Sequence, residues 1–276
     1  MYCMLGKGDL RLLTSLCNFT LMKISVIIPT LNSERTIKLA VSSSLKVADE
    51  VIVVDSFSTD RTVEIAENEG ARVLQVRGSM LIARIEGAKV AMGDYVVNLD
   101  SDMYFSENFK GFEEKVIALG EITVGKGVVH KLMSVDREIT HKKWAENLSV
   151  SNGGMIPRMY DRQLLLKAYE MIPLNLKDRL NAFEDSVIYY NVMKLYKEGK
   201  VQFIPNAVYH IEDDSLWQFM RKWYKYGKNA KLLRGTEYER FIYERKTRPG
   251  LTLGEKVKLL PVTLVKGIPF ALGYYL

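Results

Sequence analysis

From residue 24 to residue 99 the chain alternates short apolar runs with amphipathic stretches. Ile24-Ser25-Val26-Ile27-Ile28 predicts a strand by its β-branched content, ended by Pro29, which has no N–H to give a sheet ladder. Ile37, Ala40, Val41 and Leu45 recur at intervals of three and four and predict a helix from Glu34 to about Leu45, with Asn32 and Ser33 available as caps. Val51-Ile52-Val53-Val54 is a second strand, apolar on both faces and closed by Asp55. Ser58, Thr59 and Asp60 then open a helix that ends at Gly70. A third strand over 72–76, a third helix over 82–91 and a fourth strand over 95–99 continue the alternation. Such alternation predicts βαβ units, a mainly parallel sheet and helices on both of its faces.

The second half is less regular. Residues 122–129 alternate weakly as a strand, and 161–169 and 184–198 read as helices. Val201–Ile204 reads as a strand ending at Pro205, followed by a short extended piece at 208–210. Residues 216–233 form an amphipathic helix with a buried stripe of Leu216, Phe219, Met220, Trp223, Gly227 and Ala230.

In parallel sheets ligands bind beyond the carboxyl ends of the strands. Asn32, Asp55 and the pair Asp100/Asp102 all follow strand ends, so they collect along one edge despite their distance in sequence. Two carboxylates one residue apart repel each other unless a cation or solvent intervenes. Taken alone, Asp100-Ser101-Asp102 reads equally as a solvated turn with Asp102 as a cap. Glu184-Asp185 opens a helix, where the helix dipole also favours acids.

Composition sets the bounds. The chain has 276 residues, 47% hydrophobic and 26% charged, enough for one large domain with an appendage. Its only cysteines, Cys3 and Cys17, exclude a disulfide framework or cysteine metal cluster and suit a reducing compartment. Residues 1–21 lack a signal-peptide layout and are expected to be a poorly ordered extension, the folded unit starting at Met22.

Beyond these readings, Val26-Ile27-Ile28-Pro29-Thr30-Leu31-Asn32-Ser33-Glu34, Val53-Val54-Asp55-Ser56, Ala83-Arg84 with Gly93-Asp94-Tyr95, Asp100-Ser101-Asp102, Phe183-Glu184-Asp185 and Tyr209-His210 resemble, in order and spacing, the motifs of family 2 glycosyltransferases. The resemblance covers about residues 23–215. It implies a GT-A fold, Rossmann-like, and an inverting transferase that uses a nucleotide-diphospho-sugar. It further implies a divalent metal (Mn²⁺ or Mg²⁺) held by Asp102, Asp100 and His210. Nucleotide-sugar contacts would come from Pro29, Thr30, Asn32, Glu34, Asp55, Arg84, Asp100, Ser101 and Glu184, with Asp185 as the general base. A UDP-sugar is favoured over a GDP-sugar as donor, and a glycan or lipid-linked molecule is the expected acceptor. Gly153-Gly154, His130, His141 and Trp144 fall where acceptor contacts are expected. The chain departs from the motifs at Leu31, Ser56 and Ile85, and Lys222 shifts Trp223 by one from the Gln-x-x-Arg-Trp of processive members. The rival readings are a glycosyltransferase-like protein that only binds nucleotide or glycan, and a sugar nucleotidyltransferase. The latter is disfavoured because Pro29-Thr30-Leu31-Asn32 stands where a glycine-rich basic loop belongs.

Net charge is +6, and most of that excess lies between Arg221 and Arg248, where ten Lys or Arg face three Glu. Aromatic residues are interleaved with them. No nucleic-acid motif accompanies the patch, so nucleic acid is excluded as a partner. Basic residues with aromatics suit a membrane interface. The apolar stretch 259–276 is interrupted by Pro261, Lys266 and Pro269, which predicts an interfacial rather than a spanning segment. Residues 216–276 are therefore expected to form a basic helical tail behind a catalytic domain of 22–215, in a cytoplasmic protein peripheral to the membrane.

Overall fold

All seven residues of β1 (Ile24–Thr30) are buried, which requires covering layers on both of its faces. In the computed structural model, which describes residues 22–144, 156–197, 199–212, 215–244 and 250–276, β1 lies between two parallel neighbours. β2 (Glu50–Asp55) is on one side and β4 (Tyr95–Asn98) on the other, and β3 (Arg72–Gln75) extends the sheet beyond β2. The crossovers are α1 (Ile37–Ser44), α2 (Thr62–Asn68) and α3 (Met80–Val90). Alternation along β1 feeds two cores. Ile27 joins Ile52, Leu81 and Ala88 on one face, while Val26 and Ile28 join Ile37, Val41 and Ala66 on the other.

β1 continues through Pro29, where the sequence pattern ends it. Ile27 presents its carbonyl to Leu99 N beside β4, and Thr30 presents its own to Ser56 N beside β2. Pro29 therefore faces the side on which β4 has already stopped, level with Ile27, and its missing N–H has no partner to disappoint. α1 begins three residues later than expected, because 33–36 form a turn in which the Ser33 carbonyl accepts from Thr36 N and Ile37 N.

The second half completes one mixed eight-stranded sheet in the order β3-β2-β1-β4-β7-β6-β8-β5. β5 (Met103–Phe105) is its far edge, and β7 (Met159–Asp161) runs antiparallel to both β4 and β6 (Val116–Val124). The strand expected over 122–129 thus starts at Val116 and stops at Val124, and an 18-residue helix α4 (Gly127–Trp144) follows. β8 (Val201–Ile211) is one strand rather than two pieces. Its register against β6 shifts opposite Leu119/Glu121, and Asn206 takes a left-handed φ of 54°, so a bulge absorbs Pro205.

The remaining elements are α5 (Arg162–Glu170), α6 (Leu174–Lys177), α7 (Glu184–Leu195), α8 (Leu216–Ala230), α9 (Arg240–Glu244) and α10 (Leu253–Tyr275). α10 runs unbroken through Pro261 and Pro269, supported on one side by α8 and α4. The α8–α10 crossing is backbone against backbone. A Cβ on Gly227 would lie 2.1 Å from Phe270 O, and one on Gly273 would lie 2.1 Å from Tyr224 O. Residues 1–21 and Gly153-Gly154, singled out from sequence, lie outside the described residues. Gly227→Ala should force the helices apart and lower stability by roughly 1–3 kcal/mol in a denaturant melt, the range for overpacking. Unchanged stability would contradict this crossing.

Candidate active site

The β4 end, the β8 end, the start of α7 and one face of α8 enclose a cavity of about 340 Å³. It is lined by Pro29, Arg84, Asp100, Ser101, Asp102, Glu184, Asp185 and His210, all expected from sequence. Arg158, Asn181, Lys222, Trp223 and Tyr226 join them.

Asp100 is held on both sides. Its Oδ1 is 2.6 Å from Arg84 Nη2 and its Oδ2 is 3.0 Å from Arg158 Nη1. Burial alone would raise the pKa of this carboxyl, but Arg158 and Arg84 overcome burial and hold it below the ordinary value. Arg84 projects from α3 and is only 2% exposed. It also reaches Glu184 Oε1 at 3.3 Å, while its Nε and Nη1 have no hydrogen-bond partner among the described residues. Glu184 is pushed up to about 7, chiefly by burial, against the pull of Arg84 and with help from Asp185 and Asp100.

Asp102 faces a different set. Its Oδ2 lies 3.6 Å from His210 Nε2 and 3.9 Å from Lys222 Nζ. Burial penalises the charged imidazole, but Asp102 and Glu121 outweigh it and raise the His210 pKa to about 9. On the far side of the ring, Nδ1 has Glu121 Oε2 at 3.0 Å and Arg137 Nη2 at 2.6 Å. Below that pKa the ring is charged and both nitrogens carry a proton, so Nδ1–H donates to Glu121 and Nε2–H is aimed at Asp102. Glu121 is in turn anchored by Arg137 and Arg158, and Arg137 by Glu212.

Asp185 enters from the first turn of α7. Phe183 precedes this helix in the left-handed region, φ 67°, which turns the chain so that Glu184 points to Arg84 and Asp185 lines the cavity. The Asp185 Oδ1 accepts from Ser186 N (2.6 Å) and Ser186 Oγ (3.0 Å).

Four other expected residues build the neighbouring loops and do not line the cavity. Asp55 is fully buried and accepts from Thr30 Oγ1, Ser58 N and Ser58 Oγ. Asn32 Oδ1 accepts from Thr59 N, and Glu34 Oε2 from Arg61 N. A hydrogen bond of 2.9 Å between Ser33 Oγ and Ser101 Oγ joins this loop network to the acidic triplet. His141 lies on α4 against Phe203, away from the cavity lining. Arg158 was not legible, because an arginine after Pro157 has no periodicity or motif around it. Lys222 and Trp223 were visible only as a motif out of step.

The sequence model of glycosyl transferase family 2 matches residues 25–173, more than half of the chain. The protein belongs to glycosyl transferase family 2. An uncharacterised glycosyltransferase of Rickettsia conorii is 27% identical over 201 residues, covering 72% of this chain and 66% of that protein. One from Rickettsia bellii is 38% identical over 97 residues, 35% of this chain and 33% of that protein. The chain thus spans between a third and just under two thirds of these relatives' length. A poly(ribitol-phosphate) beta-N-acetylglucosaminyltransferase of Staphylococcus aureus is 37% identical over 100 residues, 32% of this chain and 17% of that protein. Among solved structures, glucosyl-3-phosphoglycerate synthase from Mycobacterium tuberculosis, in complex with Mn²⁺, uridine diphosphate and phosphoglyceric acid, superposes with a TM-score of 0.52. It covers 87% of this chain and 84% of that one at 21% identity. The likeness places this family 2 member in the GT-A fold.

The donor atoms fit a divalent cation. Of the acids lining the cavity, Asp102 is the one beside His210, at 3.6 Å, and among the described residues no group of three or more acids, histidines or cysteines is placed to hold a metal ion. Mg²⁺ and similar ions are commonly bound through one or two protein ligands, with substrate phosphates completing the coordination. Asp100, expected to share the metal, has a guanidinium against each oxygen.

Because the folded pKa of His210 is raised from 6.5 to about 9, its contribution to stability is complete below pH 6.5 and is lost as pH rises through 9. Chelator-treated protein should lose stability over that window, by at most roughly 3.5 kcal/mol at about 1.4 kcal/mol per unit. The His210→Gln variant should flatten the profile. Identical pH profiles for the two proteins would contradict this reading of the Asp102–His210–Glu121 chain.

Proposed function

We propose that this family 2 member transfers a glycosyl group from a UDP-sugar to an acceptor hydroxyl, with inversion, using Mn²⁺ or Mg²⁺. The observation that carries the reading is the opposition of two acid systems across one cavity: Asp102 with His210 on the sheet edge, and Asp185 on α7. The Mn²⁺ and uridine diphosphate bound by the structurally similar mycobacterial enzyme support the choice of donor and ion. The reading takes a glycan or lipid-linked hydroxyl in cell-surface polymer synthesis as acceptor, supported by the poly(ribitol-phosphate) named for the staphylococcal relative.

Asp102 and His210 would hold the ion, which when bound stabilises negative charge on the departing diphosphate. Lys222, whose Nζ is 3.9 Å from Asp102, brings further positive charge to the same place. Asp100 would not compete for the ion, because Arg84 and Arg158 already neutralise it, and it serves to orient those two guanidinia. Asp185 takes the proton of the acceptor hydroxyl as that oxygen attacks the anomeric carbon. The bond from that carbon to the diphosphate oxygen breaks in the same displacement, so configuration inverts. Burial lifts the Tyr226 hydroxyl to about 12, which leaves it a neutral hydrogen-bond donor beside these charges.

Calorimetry with uridine diphosphate should show binding that strengthens with Mn²⁺, and Asp102→Asn should remove the strengthening. Asp185→Asn should bind UDP-sugar normally and slow its transfer, or its hydrolysis by water, by ~10²–10⁴-fold, the usual contribution of a positioned base. Normal turnover by that variant would take the proton transfer away from Asp185. Nucleotide binding without turnover of any UDP-sugar by the wild type would favour a binding protein instead.

A further inference from the structure

The outer face of α10 is apolar along its whole length. Val257, Leu260, Leu264, Ile268, Leu272 and Tyr275 recur at intervals of three and four, and all are exposed, Leu264 by 48% and Ile268 by 54%. They point directly away from the face that packs inward, where Leu259, Val262, Pro269 and Tyr274 are buried. At 1.5 Å per residue the stretch from Val257 to Tyr275 makes this seam about 28 Å long. Water is a poor solvent for a contiguous face of that size.

Charge is withheld from the face. After Lys258 the helix has a single ionisable cation or acid, Lys266, and its ammonium turns inward to Asp136 at 2.5 Å and over the Trp223 ring. Lys256 and Lys258 are exposed at the N-terminal end of the helix, one on each border of the seam. Arg221, Lys225 and Lys228 are exposed on the adjoining flank of α8. A second copy of the chain would offer these cations little, because the one acid of α10, Glu255, is already committed to its capping box with Thr252 and to Lys143.

We propose that α10 docks the protein side-on onto an anionic lipid bilayer, the apolar seam entering the head-group boundary and the flanking cations meeting lipid phosphates. The helix lies in the membrane plane and does not cross it, because its inner face is locked on α8 by the Gly227–Gly273 crossing. α8 separates α10 from the cavity, and its Trp223 touches both: it lines the cavity and carries Lys266, from the inner side of α10, on its ring. A hydroxyl acceptor embedded in the same bilayer is thereby brought within about two helix diameters, ~20 Å, of the site. The docking itself does not depend on the proposed transferase activity.

Flotation of the full-length chain with vesicles tests the proposal. The protein should float with phosphatidylcholine vesicles containing phosphatidylglycerol and much less with phosphatidylcholine alone. The Leu264→Glu/Ile268→Glu double variant should bind the anionic vesicles at least about tenfold more weakly, since each change places a charge where apolar burial supplies the attachment. Both residues are exposed, so its melting temperature should match the wild type. Lys256→Glu/Lys258→Glu should bind more weakly and lose its salt dependence. Wild-type protein that floats with neither vesicle would overturn the proposal, and so would a Leu264→Glu/Ile268→Glu variant that floats as well as wild type. A wild-type dimer in sedimentation that the same variant dissociates, without vesicle binding, would assign the seam to self-association and also overturn it.

Discussion

The site depends on the clamping of Asp100 between two buried guanidinia. Arg84 comes from α3, Arg158 from the segment before β7, and Glu184 from the start of α7. These elements belong to different parts of the chain; one carboxylate at the end of β4 pairs with both arginines, and Arg84 links it on to Glu184. Buried charges of this kind are tolerated only when paired, because breaking a pair leaves an uncompensated charge, typically at a cost of 3–5 kcal/mol. The lattice extends through Arg158 to Glu121, and through Glu121 to Arg137 and His210. The orientation of the imidazole beside Asp102 is therefore set by the same network that holds Asp100. Both acids of the triplet line the cavity, Asp100 paired with the two guanidinia and Asp102 beside His210 and Lys222.

The first half of the fold was legible because its signals are local. Buried parallel strands read as unbroken β-branched runs, and each amphipathic helix repeats every three or four residues. The second half was less so, because tertiary context overrides local rules there. Pro205 interrupts the pattern of β8, yet a bulge at Asn206 carries the strand past it. α4 was missed because its inward side spends its positions on Arg137 and Asp136, polar residues that serve ion pairs and blur the apolar stripe. Strands of three residues, β5 and β7, carry too few positions for any period to emerge.

Of the strand-end residues marked in sequence, the cavity collects Asp100 and Asp102 but not Asn32 or Asp55, and it adds Asp185 from a helix start and His210 from β8. Their partners were not legible in the sequence, because pairing is a property of packing. Nothing near Arg158 in sequence marks it as the second arm of the clamp. Asp55 illustrates the converse. Its place after a strand end is correct, but Ser58 and Thr30 turn its carboxylate into its own loop. α8 joins the two ends of the molecule's chemistry, presenting Lys222, Trp223 and Tyr226 to the cavity and carrying α10 on its other side.

The division of labour between the two acids is tested most directly by anomalous diffraction at the manganese edge from crystals grown with uridine diphosphate and Mn²⁺. The account predicts one peak, between Asp102 and the diphosphate and within bonding distance of His210, with Asp100 still paired to Arg84 and Arg158. A manganese ion coordinated by Asp100 with either arginine displaced, or a nucleotide bound away from this cavity, would contradict it.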